Sequence, residues 1–205
     1  VDDESRLAHI PHSVFDRAGC GKELGVHNFE VNSAATVFDA AGIADQADRI
    51  AASVDAAAEA LAGADLAPAL DAMWTLPPAE GTDAYLGTVE ERDGVVVAAN
   101  MRHHPRYVAL DNEILERSGG TITLDVPGAT LSYRTILMES LATSIQPHLQ
   151  IPDADAFPTY FNAALRTLGP VLSLSSNAPF LPADCYDDDP AVVDATPHEL
   201  RIPVF

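Results

Sequence analysis

Thr143-Ser-Ile-Gln-Pro-His-Leu-Gln150 is the stretch on which the fold assignment turns. Side chains that alternate with period two point to opposite sides of an extended chain. Ser144, Gln146, His148 and Gln150 fall on one side, and Thr143, Ile145, Leu149 and Ile151 on the other. The pattern predicts a half-buried strand. Its polar side holds two carboxamides and an imidazole, and no Asp, Glu or Lys. In an acidic chain, an uncharged row able to donate and accept hydrogen bonds suits a ligand. An ordinary solvated or network-satisfied face alternates in the same way, so both interpretations stand at this point.

The rest of the chain is dominated by negative charge. Asp and Glu number 31 against 11 Lys and Arg, a formal charge of -20, and Lys22 is the single lysine. Such an excess lacks the basic patch that phosphate backbones require, so nucleic acid is not an expected partner. The acids are spread along the chain rather than gathered in a tail, which points to adaptation to a salt-rich cytoplasm. A hydrophobic content of 47% argues for a packed core and against disorder. There is no run of about 18 apolar residues, so no membrane partner is expected and the location reads as cytoplasmic. Cys20 and Cys185 stand far apart with no metal-finger spacing, as two free thiols do in a reducing compartment.

Downstream of the opening stretch, Pro152-Asp-Ala-Asp starts a helix with Asp153 as its cap. Phe157, Phe161, Leu165, Leu168 and Leu172 give it an apolar side to about Leu174, and Pro170 should kink or split it. It leads into Ser173-Leu-Ser-Ser-Asn-Ala-Pro-Phe180, then an acidic turn from Asp184 to Pro190, then a final strand over His198–Phe205 carrying Arg201. Upstream, Leu131 to Glu139 reads as a helix and Thr121 to Val126 as a strand closed by Pro127-Gly128. Val108 to Arg117, opened by His103-His-Pro-Arg-Tyr107 and stopped by Gly119-Gly120, reads as a helix. Asp93-Gly94 turns into a strand at Val95–Ala98, Glu80 to Gly94 reads as loop, and Ala67 to Leu76 as a strand.

The clearest helix spans Asp39 to Leu61, with Ile43, Ala47, Ile50, Val54, Ala58 and Leu61 on one stripe and Gly63 as the stop. Before it, a strand from about Gly25 to Ser33 sets Asn28, Glu30 and Asn32 on one face. A carboxylate among neutral oxygens is what a hard divalent cation takes, although a solvent-facing edge has the same pattern. No internal domain boundary is visible, so residues 1–205 read as one piece of a longer catalytic domain. There is no P-loop, no GxGxxG after a strand, no GxSxG elbow and no HExxH. Any nucleotide must therefore lie on an open sheet face with metal ions.

Taken together, a strand with Glu30, a helix opened by Arg106-Tyr107, a Gln146-x-His148-x-Gln150 strand, a helix running into Ser-Ser-Asn-Ala-Pro-Phe180 and a late strand with Arg201 resemble the glutamate–cysteine ligases and related carboxylate–amine ligases. The strand, helix and SSNAPF unit is the most specific part, and agreement is weak between Pro77 and Asn100. Pro147, which removes a ladder donor, departs from the family pattern.

The resemblance implies an α+β fold like glutamine synthetase: a curved antiparallel sheet with helices on its outer face, incomplete at both ends. It implies a reaction joining the γ-carboxylate of glutamate to an amine, most often cysteine's, through an acyl phosphate, and so a place in glutathione biosynthesis. ATP and Mg²⁺ or Mn²⁺ are the implied cofactors, and glutamate with cysteine or another amine the implied partners. Glu30 is then a metal ligand. Arg201 stabilises the transferred phosphoryl group, with His148 beside it as the second catalytic candidate. Gln146, Gln150, Arg106 and Asn177 bind ATP or substrate. A first strand with paired glutamates is expected upstream of Val1, so this segment alone should be inactive. The alternative is a ligase-like scaffold without chemistry.

Overall fold

Asp39 opens the longest helix, Ala40–Ala62, by accepting the amide of Gly42 at 2.8 Å. In the computed structural model, residues 1–186 and 199–201 are described. This helix is the second of five. The first, α1 (His12–Ala18), packs on the C-terminal half of α2 (Ala40–Ala62). Ile10, Val14, Phe15, Ala60 and Leu61 form that small core. Arg17 reaches across the end of α2 and donates to the Ala60 carbonyl at 2.6 Å, satisfying a group the helix cannot. Alanines let the two helices approach closely. The N-terminal half of α2 is not packed, and Ile43 and Ile50 of the expected stripe are exposed.

The larger core gathers around a 3₁₀ turn, Leu137–Leu141. Leu137 is fully buried there, with Leu86, Ala98 and Leu200 equally so. Burying a leucine side chain of this kind contributes about 2 kcal/mol. Three antiparallel hairpins supply all the strands among the described residues: β1 (Gly21–Lys22) with β2 (Phe29–Glu30), β3 (Val89–Arg92) with β4 (Val95–Ala98), and β5 (Ile122–Val126) with β6 (Ala129–Tyr133). The class is therefore α+β with antiparallel pairing, here as three separate two-stranded sheets. Asp93 and Gly94 both take positive φ, +52° and +78°, which suits the twist of β3 and β4. Asn112, on α4 (Pro105–Arg117), acts as a third strand for β4. Its Oδ1 accepts from the Val96 amide at 2.8 Å and its Nδ2 donates to the Val96 carbonyl at 2.7 Å.

Several expectations need correction. Residues 143–150 form no strand, and every one of them is exposed. Pairing starts where expected, with a bridge between Met73 and Ala142 and a bond from the Thr143 amide to the Ala72 carbonyl at 3.0 Å. It does not propagate. The Thr75 carbonyl is taken by the Ala183 amide at 3.0 Å, and Pro147 offers no donor. Residues 67–76 are likewise an extended run with one bridge rather than a strand. Residues 25–28 are a turn between β1 and β2. Glu80 to Gly94 contains the short helix α3 (Thr82–Gly87) and β3. Leu131 to Glu139 divides between β6 and the 3₁₀ turn. The last helix, α5 (Phe157–Ser175), runs unbroken past Pro170, with Asp153 accepting from the Ala156 amide ahead of it. None of its residues is buried. Of the expected final strand, 198 and 202–205 lie outside the described residues, as do 187–190 of the acidic turn.

Candidate functional site

Two groups of side chains gather the candidate residues, and a third set stands apart. The first group forms where the β1–β2 hairpin meets the start of α4. His104 caps α4, its Nδ1 accepting from the Arg106 amide at 3.2 Å, and Pro105 fits the first turn, where no amide donor is needed. This places Tyr107 against the hairpin, where its hydroxyl donates to the Lys22 carbonyl at 3.0 Å. Burial raises the Tyr107 pKa, and the charges of Glu23 and Glu30 add to the rise while Arg106 and Arg102 oppose it. Glu30 and Arg106 are thus near enough for their charges to bear on the Tyr107 hydroxyl, with opposite signs. Glu30 is half-buried, and one of its oxygens accepts from Asn32 Nδ2 at 3.2 Å.

The second group lies at the foot of α5. Asn177 follows the helix, and its Oδ1 accepts from Arg201 Nη2 at 3.2 Å. The loop holds Arg201 close because the next residue, Ala178, bridges Glu199 in parallel. Glu199 is 8% exposed and takes the Arg201 guanidinium on both carboxylate oxygens, at 2.7 and 2.6 Å. That pairing holds the Glu199 carboxyl below the usual carboxylate range. The remaining Arg201 donors reach the carbonyls of Thr143 and Ser175, at 3.2 and 2.9 Å. A groove of about 450 Å³ lined by Ser173, Ser176, Asn177 and Pro179 opens beside it.

Gln146, His148 and Gln150 belong to neither group. They sit on the exposed extended run that leaves Thr143, and none has a hydrogen-bond partner among the described residues. The structure thus joins Arg201 with Asn177, gives Glu30 and Arg106 no hydrogen bond or ion pair with each other, and leaves the polar row exposed.

A model of glutamate-cysteine ligase family 2 matches residues 2–197. The chain belongs to this family. No curated protein and no solved structure matches the chain. Membership of glutamate-cysteine ligase family 2 sets the chemistry in the ligase class and agrees with the α+β architecture.

A divalent cation fits the described residues only in part. Magnesium takes six oxygen ligands. Glu30 offers one carboxylate, and no cluster of three or more metal-binding side chains exists among the described residues. These residues do not make a complete metal centre, and no chemical step is derived through one.

Sequence reasoning missed a polar cluster around His27. His27 is half-buried between α3 and the 3₁₀ turn. Its Nδ1 meets the Tyr85 hydroxyl at 2.5 Å and its Nε2 the Ser140 carbonyl at 3.0 Å. A carbonyl only accepts, so Nε2 carries the hydrogen and Nδ1 accepts from Tyr85. Burial pushes the His27 pKa down to about 4, so the ring is neutral at pH 7. Asn28 Nδ2 donates to the same Ser140 carbonyl at 3.0 Å. Gly25 is required beside them, since a Cβ there would lie 2.4 Å from Asn28 Oδ1 and 2.9 Å from Ser140 Cβ. The signal was present: His27 shared the apolar side of its segment with Phe29. Glu199 was also missed, although its spacing of two from Arg201 put both charges on one side of an extended chain.

Cys20 and Cys185 are both free thiols. Burial, and then Asp184, push Cys185 up to about 11, so it stays an unreactive thiol at neutral pH. No helix among the described residues is long and apolar enough to cross a membrane.

Proposed function

We propose that the chain forms part of an ATP-dependent ligase that joins the γ-carboxylate of glutamate to an amine, with cysteine as the favoured acceptor. The family match across residues 2–197 carries this reading. In it the carboxylate is activated as an acyl phosphate and displaced by the amine, with ATP and Mg²⁺ or Mn²⁺ as cofactors.

The chain's own residues take the following parts. Glu30 contributes one oxygen ligand to the metal, completed by carboxylates outside the described residues. Arg106, exposed at the start of α4, pairs with a substrate carboxylate as a fork. Gln146, His148 and Gln150 are solvent-facing in this structure and free to hydrogen-bond phosphate or substrate. Asn177 orients substrate from its loop. Arg201 neutralises the transferred phosphoryl group only after leaving Glu199, because charge stabilisation needs its donors aimed at the transition state.

The Arg201–Glu199 pairing also favours a second reading, a ligase-like scaffold in which that arginine is structural. One assay separates the two. Phosphate release from ATP is followed with the full-length protein in concentrated KCl and Mg²⁺, with glutamate alone and with glutamate plus cysteine or other amines. Release that requires both substrates and drops at least a hundredfold in Glu30→Gln supports the ligase. A folded protein that binds nucleotide and releases no phosphate with any pairing supports the scaffold.

A further inference from the structure

The corner between α1 and β1 holds a relay of three side chains that the ligase reading leaves unused. Lys22 Nζ lies 2.8 Å from His12 Nε2, and His12 Nδ1 lies 3.2 Å from Asp16 Oδ2. An ammonium only donates and a carboxylate only accepts. The order of the three therefore fixes the imidazole: Nε2 presents its lone pair to Lys22, and Nδ1 carries the hydrogen to Asp16. The i,i+4 spacing on α1 sets His12 and Asp16 side by side. The hairpin delivers the lysine. Lys22 stands opposite Phe29 in the ladder, its ammonium lies 5.7 Å from the centre of the Phe15 ring, and its carbonyl is held by Tyr107. Glu30 stands opposite Gly21, one position along, so its side chain leaves the hairpin on the other side. The relay shares the hairpin with Glu30 but leaves it on the opposite face, and it does not depend on the ligase reading.

A carboxylate, an imidazole and a nucleophile in this order are how proteins activate a weak nucleophile. Here the nucleophile is an amine blocked by its own proton. An ammonium holds a proton more tightly than an imidazolium, so passing it to His12 is uphill. Asp16 Oδ2 stands on the far side of the ring, where it holds the imidazole oriented toward Lys22. His12 and Asp16 side chains are about as exposed as free ones, at 70% and 71%, and a small reagent reaches them unhindered.

We propose that Lys22 is an acylation site for small acyl phosphates, with His12 as the base and Asp16 as the positioning residue. The Nζ lone pair attacks the acyl carbon and forms the C–N bond. The C–O bond to phosphorus breaks, and phosphate departs with that electron pair. Two Nζ protons leave in all: the first passes to His12 Nε2 and on to water, freeing the lone pair, and the second, shed once the C–N bond has formed, is taken up by the departing phosphate. The product is an amide at the chain's single lysine, with one positive charge lost.

The test uses the full chain and acetyl phosphate, with acetyl-Lys22 followed over time by peptide mass spectrometry. Native protein should acetylate Lys22 about tenfold faster than the same chain unfolded in guanidinium, a modest effect for a positioned base on an open surface. His12→Ala and Asp16→Asn, both at exposed positions and checked for native circular dichroism, should fall to the unfolded rate. Asp16→Glu should recover most of the native rate, which a merely structural role would not predict. Equal rates in native and unfolded chains, or a native rate in His12→Ala, would overturn the proposal.

Discussion

Arg201 binds Glu199 side on, Nε to Oε1 at 2.7 Å and Nη2 to Oε2 at 2.6 Å, and with its remaining donors holds the carbonyls of both Thr143 and Ser175. No residue from 143 to 175 is buried. One guanidinium thus ties both feet of a segment that has little other attachment.

Arg201→Lys keeps the charge and loses the planar fork. It should cost about 2 kcal/mol, less than the roughly 3–5 kcal/mol of breaking a fully buried pair, because the charge is kept and Arg201 is only partly buried. Amide exchange and protease cleavage within 143–175 should speed up with it. Unchanged exchange in 143–175 alongside a global loss of stability would show that the arginine does not hold that segment.

His27 makes stability depend on pH with a definite sign. Its folded pKa of about 4 lies below the free value, so the unfolded chain binds more protons in between. Stability is complete above about pH 6.5 and falls as pH drops toward 4, by about 3 kcal/mol for this residue. Denaturant titrations at neutral and acid pH, compared with His27→Gln, isolate the contribution. An equal pH slope in the variant would refute it.

Asp111 is fully buried on α4 and accepts the Ile136 amide at 2.6 Å, while its Oδ2 has no partner. Burial raises its pKa. A raised carboxylate has the opposite sign from His27: the folded state binds the proton more tightly, and stability falls as pH rises through that window. Asp111→Asn keeps an acceptor for Ile136 and removes the charge. It should match or exceed the native stability at pH 7 and show no advantage in acid. Asp111→Ala should cost about 2 kcal/mol at either pH, because the Ile136 amide is left unpaired. Equal losses in Asn and Ala would rule out charge burial as the cause.

Gly94 offers a control free of packing. Nothing lies within 4 Å of where its Cβ would be, yet φ is +78°. Gly94→Ala should cost about 1 kcal/mol from backbone conformation alone. Thermal unfolding measures it, and a neutral result would mean that the turn relaxes to a different type.

The parts legible in the sequence were those whose signals are local. Asp39 and Gly63 bracket α2, Pro105 and Gly119-Gly120 bracket α4, and Pro127-Gly128 closes β5, because caps and turns act within a few residues. What was not legible depends on distant partners. Helix α3 is short, and its first turn is held by Asp184, whose carboxylate accepts from both the Thr82 amide and hydroxyl across 102 residues. The alternation at 143–150 cannot say whether a neighbour comes to pair with it, and beyond Thr143 none among the described residues does. The family was legible from the order of motifs. Of the candidate site, Arg201 and Asn177 were named separately, and only the fold shows that they stand together.

The three hairpins have a kinetic consequence. Each joins strands that are neighbours in sequence, so each closes a small loop and forms within microseconds. The His27 and Ser140 groups lie 113 residues apart, and their meeting must await closure of a far longer loop. Contact order then assigns the slow step of folding to the docking of the 25–28 turn on the 3₁₀ turn, not to the formation of any strand pair. A substitution at Gly25 or His27 should slow refolding, whereas one in the Asp93-Gly94 turn should chiefly hasten unfolding. Stopped-flow refolding of the two kinds of variant distinguishes these outcomes, and a slower folding limb in the turn variants would reverse the order of events.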